Sequence, residues 1–134
     1  MGRTRTTSRK ALQEKIRACA YAALSKKAER VVALDVRKVA GYADTFLVCS
    51  GTHPRQNQAI ADAVVKALED RGEKFVNMEG QLPGNWILID TGDLVVHVFD
   101  EATRAYYNLE NLWHDAPREE ITDEPAVRPA AKAR

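Results

Sequence analysis

The segment formed by residues 84–100 constrains the fold of this chain more than any other part of the sequence. Two apolar runs rich in β-branched residues, 87–89 and 94–99, flank the sequence Asp-Thr-Gly-Asp at 90–93. Asp and Gly favour the tight turn that joins two antiparallel strands, so the segment predicts a β-hairpin. It also raises a question of chemistry, because Asp-Thr-Gly after an apolar run is how aspartic proteases carry their catalytic carboxylate.

The protease hypothesis requires two carboxylates that share one proton, so this chain would have to dimerise to pair two copies of Asp90. Asp93 follows where those enzymes usually carry a small residue, and a second charge there would crowd the pair. The apolar-apolar-Gly element that supports their catalytic loop is also missing. We therefore interpret Asp90 as a turn residue, since Asp and Gly in a tight turn need no catalytic explanation.

Periodic patterns along the chain predict an α/β (α+β) fold. Apolar residues at helical spacing predict helices over 9–27 and 54–71, with Pro54 in the first turn of the second helix, Thr52 as its N-cap and Gly72 as its stop. Besides the hairpin, strands are predicted at 31–36, 45–50 and 75–78, and a helical or turn-rich segment at 102–113. The order predicts a mixed five-stranded sheet flanked by helices, with the strand at 45–50 in its centre.

Length and composition predict one globular domain with flexible ends. We expect a basic flexible arm at 1–8, the domain at 9–117, and a disordered tail at 118–134 that is rich in Pro, Ala and charge.

The net charge of +1 predicts no general attraction to nucleic acid or membranes. No apolar stretch is long enough to span a bilayer, so we expect a cytoplasmic protein, with Cys19 and Cys49 as buried free thiols.

The basic residues of the first predicted helix lie off its apolar stripe. This pattern is typical of a solvated face, and the alternative is a surface that contacts RNA. The residues are Lys10, Lys15, Arg17, Lys26 and Lys27.

The loop at 50–56 leaves a strand and opens a helix, so its backbone N–H groups, together with Arg55, suit a phosphate. It lacks the glycine spacing and the lysine of a P-loop, and the chain contains no Asp-x-Asp pair that would hold Mg²⁺. A phosphate- or nucleotide-binding enzyme at this loop is the alternative function.

The histidines share no metal-ligand spacing with one another or with the cysteines, so we predict no metal and no cofactor. They are His53, His97 and His114. His97 lies inside the apolar run at 94–99, which predicts a half-buried, hydrogen-bonded side chain.

Aromatic and charged residues concentrate in the hairpin and in the last helical segment. Trp, Tyr and Arg dominate binding hot spots, and a small core does not easily take all of these side chains. Arg104 and Glu110 lie six positions apart, so they are not the usual i,i+4 helix pair and need not satisfy each other. Arg104 either faces a partner or pairs internally with an aspartate of the hairpin, for which the candidates are Asp90, Asp93 and Asp100. The predicted partner-binding residues are Trp86, Asp93, His97, Phe99, Arg104, Tyr107, Glu110 and Trp113.

Short motifs follow one another from about Leu12 to Pro117, and each is weak alone. They are Leu34-Asp35-Val36, Ala43-Asp44-Thr45-Phe46, Ser50-Gly51-Thr52, Arg55-Gln56, Ala59-Ile60-Ala61-Asp62, Glu79-Gly80, Gly84-Asn85-Trp86, Asp90-Thr91-Gly92-Asp93, Val96-His97-Val98-Phe99, Arg104, Tyr107, Leu109-Glu110 and Leu112-Trp113. In this order and with these gaps the set resembles the ribosome silencing factor family (RsfS, also called Iojap). His53 departs from the pattern, because a small polar residue is common there.

The resemblance implies a translational repressor and not an enzyme. Members of this family bind the large ribosomal subunit through its fourteenth protein, on the face that joins the small subunit, and block joining when nutrients are scarce. The resemblance also implies a nucleotidyltransferase-like fold without catalytic carboxylates. A domain of this length has a radius of gyration of about 14 Å, large enough to exclude the small subunit sterically. Whether the free protein forms a homodimer stays open.

Overall fold

The computed structural model of this chain describes residues 9–112 and 114–122. The predicted arm at 1–8, Trp113, and residues 123–134 of the predicted tail lie outside this part of the chain.

No helix among the described residues is long and apolar enough to cross a membrane. The helices are α1 (Arg9–Ser25), α2 (Pro54–Asp70), α3 (Glu101–Tyr107) and α4 (Leu109–Leu112), and the strands are β1 (Glu29–Asp35), β2 (Thr45–Gly51), β3 (Asn77–Glu79), β4 (Trp86–Asp90), β5 (Leu94–Asp100) and β6 (Arg118–Glu120).

The strands form one mixed sheet in the order β3-β4-β5-β2-β1-β6. β2 and β5 pair in parallel, and the other neighbours pair antiparallel. The mixed α+β architecture is confirmed, and β2, whose residues are all buried, lies in the interior of the sheet as expected from its apolar sequence. The nucleotidyltransferase comparison stays a prediction.

The expected count of five strands is corrected to six, because β6 comes from the segment assigned to the disordered tail. Its backbone pairs with β1, and Ile121 follows with a buried side chain. The Ile121 N–H donates to the carbonyl oxygen of Val31 at 2.8 Å. The open edge of β1 and one apolar residue thus order a charge-rich segment, and the domain extends beyond residue 117.

Two helices cover one face of the sheet. α1 and α2 pack against each other and against the strands, burying the predicted stripe that includes Ile16, Cys19 and Ala23. Burial raises the pKa of Cys19 and of Cys49 to about 12, so both thiols are protonated core residues as expected.

The start of α2 differs from the prediction in one residue. His53, not Thr52, is the N-cap, and its Nδ1 accepts a hydrogen bond from the Gln56 N–H at 3.2 Å. At the other end Gly72 has φ of +89°, a left-handed conformation that favours glycine and that confirms the predicted stop.

The predicted hairpin is confirmed, and Asp90 has a structural role in its turn. The Asp90 carboxylate accepts a hydrogen bond from the Gly92 N–H at 2.8 Å, and the Thr91 N–H donates to the Leu94 carbonyl oxygen at 2.9 Å. Gly92 has φ of +99°, which this turn requires. Asp90 is therefore a turn residue in this structure.

Lys15 is buried, although its position off the apolar stripe predicted a solvated side chain. Its Nζ lies 2.7 Å from Asp93 Oδ1 and 3.0 Å from Glu73 Oε2, so α1 is joined to the hairpin turn and to the segment after α2. Burial by itself would raise the pKa of Asp93, but the hydrogen bond and charge of Lys15 keep it below the ordinary value.

We predict that Lys15→Met lowers the free energy of unfolding by about 3 kcal/mol, because it leaves a buried carboxylate without its cation. Urea denaturation at neutral pH measures this change. Lys66→Met is the matched control, since Lys66 pairs with Asp70 at 3.3 Å on the surface and such pairs contribute about 1 kcal/mol or less. Equal effects of the two substitutions would contradict a structural role for the Lys15–Asp93 pair.

Candidate partner-binding surface

The second face of the sheet is covered unevenly. Side chains on this face alternate with those that contact α1 and α2, and α3 covers β2 and β5 through the bond from Arg104 to Ser50. Trp86 and Leu88 of β4 lie on the same face and remain half-buried. The exposed side chains of Tyr107, on α3, and Glu79, on β3, flank them. We call Glu79, Trp86, Leu88 and Tyr107 the β4 surface.

Trp86 is held in place by rings on several sides. Its ring stacks on Phe99 with centroids 4.9 Å apart and contacts Tyr107 at 4.6 Å. Its indole N–H donates to Nδ1 of His97 at 3.1 Å. Phe99 is buried, whereas Tyr107 is 49% exposed, so the cluster runs from the core to the solvent through Trp86.

His97 is more deeply buried than the sequence predicted, and its expected hydrogen bond is present. Because Nδ1 accepts from Trp86, the neutral ring carries its proton on Nε2. That atom has no hydrogen-bond partner among the described residues. Burial lowers the pKa of His97 to about 4, so the side chain is neutral at physiological pH and suited to accept from the indole.

Arg104 pairs internally, and its partner is Glu110 and not one of the aspartates that the sequence suggested. Arg104 Nε and Nη2 donate to the two carboxylate oxygens at 3.0 and 2.6 Å, and Nη1 donates to Ser50 Oγ at 2.7 Å. Asn108, in the left-handed conformation with φ of 48°, ends α3 and turns the chain, so Glu110 returns toward Arg104. The hydrogen bond from Arg104 lowers the pKa of Glu110 below its ordinary value.

The aspartates that were considered as partners of Arg104 have other contacts. Asp90 closes its turn and Asp93 binds Lys15. Asp100 is the N-cap of α3, where it accepts from the Thr103 N–H at 2.8 Å and from Asn85 Nδ2 at 2.8 Å. The hydrogen bond from Asn85 lowers the pKa of Asp100.

The predicted partner-binding residues fall into three groups. Those with accessible surface are Trp86, Tyr107 and Glu110, and their contact with a partner stays a prediction. Four others are buried and have little surface to offer, so they support the β4 surface or the core: Asp93, His97, Phe99 and Arg104. Trp113 lies outside the described residues.

Sequence reasoning missed Leu88 and Glu79. A signal was present, because Leu88 lies two positions from Trp86 on a strand and side chains alternate between faces. Glu79 pairs with Leu88 across β3 and β4, but the short β3 was predicted at 75–78 and did not include it. The register of two strands was needed to bring these side chains together.

In the loop at 50–56, the side chain of Gln56 is engaged internally. The Gln56 side-chain oxygen accepts from the Thr52 N–H and hydroxyl, each at 2.7 Å, and its amide nitrogen donates to the carbonyl oxygens of Lys26 and Lys27. These contacts join the end of α1 to the start of α2. Thr52 and Gln56 therefore have a structural role, and phosphate binding by the rest of the loop and Arg55 stays a prediction.

Comparison with known proteins decides the family. A family model described as ribosomal silencing factor during starvation, RsfS, matches residues 9–134. The chain belongs to the RsfS family. This confirms the predicted family, and with it a role in silencing translation.

Relatives match across most of the domain. The chain is 46% identical to the ribosomal silencing factor RsfS of Halalkalibacterium halodurans over 109 residues, which is 81% of this chain and 93% of that protein. A crystal structure from Bacillus halodurans superposes with a TM-score of 0.71 at 43% identity, covering 81% of this chain and 99% of that one. A mouse protein named mitochondrial assembly of ribosomal large subunit protein 1 is 36% identical over 75 residues, 54% of this chain and 33% of its own length.

We predict that His97 makes the stability of this RsfS protein depend on pH. In the unfolded chain a histidine binds a proton near pH 6.5, whereas the folded protein keeps His97 neutral until about pH 4. Between these values the unfolded state binds more protons, so the free energy of unfolding falls as the pH falls. From about pH 7 to about pH 5 we expect a loss of about 2 kcal/mol, measured by urea denaturation.

The control is His97→Asn, whose amide does not titrate and whose oxygen can accept from the Trp86 indole. Carboxylates titrate near pH 4 in unfolded chains, mostly below this range. We expect the free energy of unfolding of the wild type to fall more steeply between these pH values than that of His97→Asn. Equal slopes for the two proteins would contradict the role of His97.

Proposed function

We propose that this RsfS protein silences translation by binding the large ribosomal subunit through its fourteenth protein and by sterically blocking the small subunit from joining. The family description supports a ribosomal target, and the name of the mouse relative supports the large subunit. The observation that carries the proposal is the exposed Tyr107 ring against the half-buried Trp86, on the sheet face opposite α1 and α2.

The composition of the β4 surface fits a protein partner. Hot spots combine large aromatic side chains with well-packed surroundings, and they lie inside a polar rim. Trp86 and Tyr107 supply the rings, while Glu79 supplies charge at the margin. The Trp86 ring is fixed before binding by Phe99 and His97, which lowers the entropy that binding costs.

A binding protein also agrees with the use of the aspartates. Asp90 and Asp93, the candidates for catalysis, accept hydrogen bonds inside the fold and do not form a pair with each other. We therefore propose a steric mechanism, without catalysis, in the cytoplasm where ribosomes work.

Secondary contacts with ribosomal RNA would use the exposed basic residues at the two ends of α1, Lys10, Lys26 and Lys27. Lys15 takes no part, since its ammonium group is buried.

If the free protein forms a homodimer, we propose that the β4 surface also forms the dimer interface, so that dimerisation and ribosome binding compete.

We predict that Tyr107→Ala weakens large-subunit binding by about 2 kcal/mol, roughly thirtyfold, as for a hot-spot residue. Sedimentation of mixed ribosomal subunits should show that wild-type protein reduces joining and that the variant requires a correspondingly higher concentration. The matched control is Phe75→Ala, because Phe75 is 84% exposed and lies beside the hairpin turn, at the far end of β4 from Trp86.

Phe75→Ala should unfold at the urea concentration of the wild type, and Tyr107→Ala at a slightly lower one because it loses the contact with Trp86, so binding is measured without urea, where both variants are folded. Equal inhibition by Tyr107→Ala and wild type would remove the β4 surface from consideration. Unimpaired joining in the presence of saturating wild-type protein would refute the steric mechanism itself.

A further inference from the structure

A shallow depression of about 250 Å³ lies within the β4 surface, lined by Glu79, Gly80, Trp86 and Leu88. Its shape depends on Gly80, which has φ of +87°. A Cβ at this position would overlap the carbonyl oxygen of Trp86, so the end of β3 can lie this close to β4 only with glycine. The indole and Leu88 give the depression an apolar floor, and Glu79 places a carboxylate at its rim.

The indole in this depression is available by its ring but not by its N–H. Its nitrogen already donates to His97 at 3.1 Å, so a partner gains no hydrogen bond from it. A group that contacts Trp86 must instead be apolar or cationic, because a cation is attracted to the face of an indole ring.

The Glu79 carboxylate favours a cationic group over an apolar one in this depression. The side chain is exposed, and its hydrogen bond within the described residues is a long one, 3.4 Å from Asn77 Nδ2. Across residues 9–112 and 114–122 it forms no ion pair at 4.0 Å or less, so no cation of this part of the chain compensates its charge. Binding an apolar group here would desolvate the carboxylate without compensation, whereas a cation would pair with it.

We propose that this depression binds a lysine or arginine side chain of the ribosomal protein on which the β4 surface docks. The aliphatic part of the side chain packs on Leu88 and on the part of Trp86 that lines the depression, and its charged end pairs with the Glu79 carboxylate at the rim. The negative charge of Glu79 also disfavours phosphate, so this part of the surface meets protein and not RNA. The inference rests on the proposed function, and it adds the chemistry of one contact.

The test compares Glu79→Gln and Glu79→Lys with the same substitutions at Glu69, an exposed residue of α2 on the other side of the sheet. Affinity for purified large subunits is measured by titration at low and at high salt. We expect Glu79→Gln to bind about tenfold more weakly at low salt and Glu79→Lys more weakly still, with both Glu69 variants close to wild type. High salt should narrow the difference between wild type and Glu79→Gln, since exposed charges are screened.

The urea midpoint of each variant reports whether the fold is intact. Wild-type affinity of Glu79→Lys, together with weakened binding of Tyr107→Ala, would overturn the cation site and leave the proposed function standing. Tighter binding of Glu79→Gln would indicate an apolar occupant and would also overturn it. Failure of the wild type itself to bind the large subunit would refute the proposed function, and the inference with it.

Discussion

The ion pair between Lys15 and Asp93 lies where several elements of the fold meet. Lys15 belongs to α1, and Asp93 ends the hairpin turn. The carbonyl oxygen of Asp93 also accepts from the N–H groups of Asp44 and Thr45 at 2.9 and 3.1 Å, which fixes the start of β2 beside β5. Because β2 and β5 are the parallel pair at the centre of the sheet, this residue sets the register on which the surrounding strands are built.

The β4 surface depends on that register in turn. His97 and Phe99 lie under Trp86 because β4 and β5 pair with Trp86 opposite Phe99 and Leu88 opposite His97. Arg104 joins α3 to Ser50 of β2 and to Glu110, so Tyr107, at the end of α3, is held against the indole. The buried residues of the predicted site thus hold the exposed rings of the β4 surface in place.

The sequence predicted what local chemistry controls, which includes the hairpin, the helix stop at Gly72 and the amphipathic helices. It could not predict contacts that tertiary structure creates. The sequence pattern predicts a surface position for Lys15, because its partner Asp93 lies 78 positions away along the chain. The spacing of Arg104 and Glu110 does not predict their ion pair, because the pair depends on the left-handed Asn108 that turns the chain between them. β6 could not be predicted from its three charged residues, because they form a strand only by pairing with the edge of β1.

The central claim is that the β4 surface contacts the large ribosomal subunit. Hydroxyl-radical footprinting of the protein, alone and bound to large subunits, tests it by comparing the oxidation of individual side chains. The account predicts that Tyr107 and Trp86 become protected in the complex, while Phe75, exposed beside the hairpin turn, stays as reactive as in the free protein. Protection of Phe75 with unchanged oxidation of Tyr107 and Trp86 would contradict it.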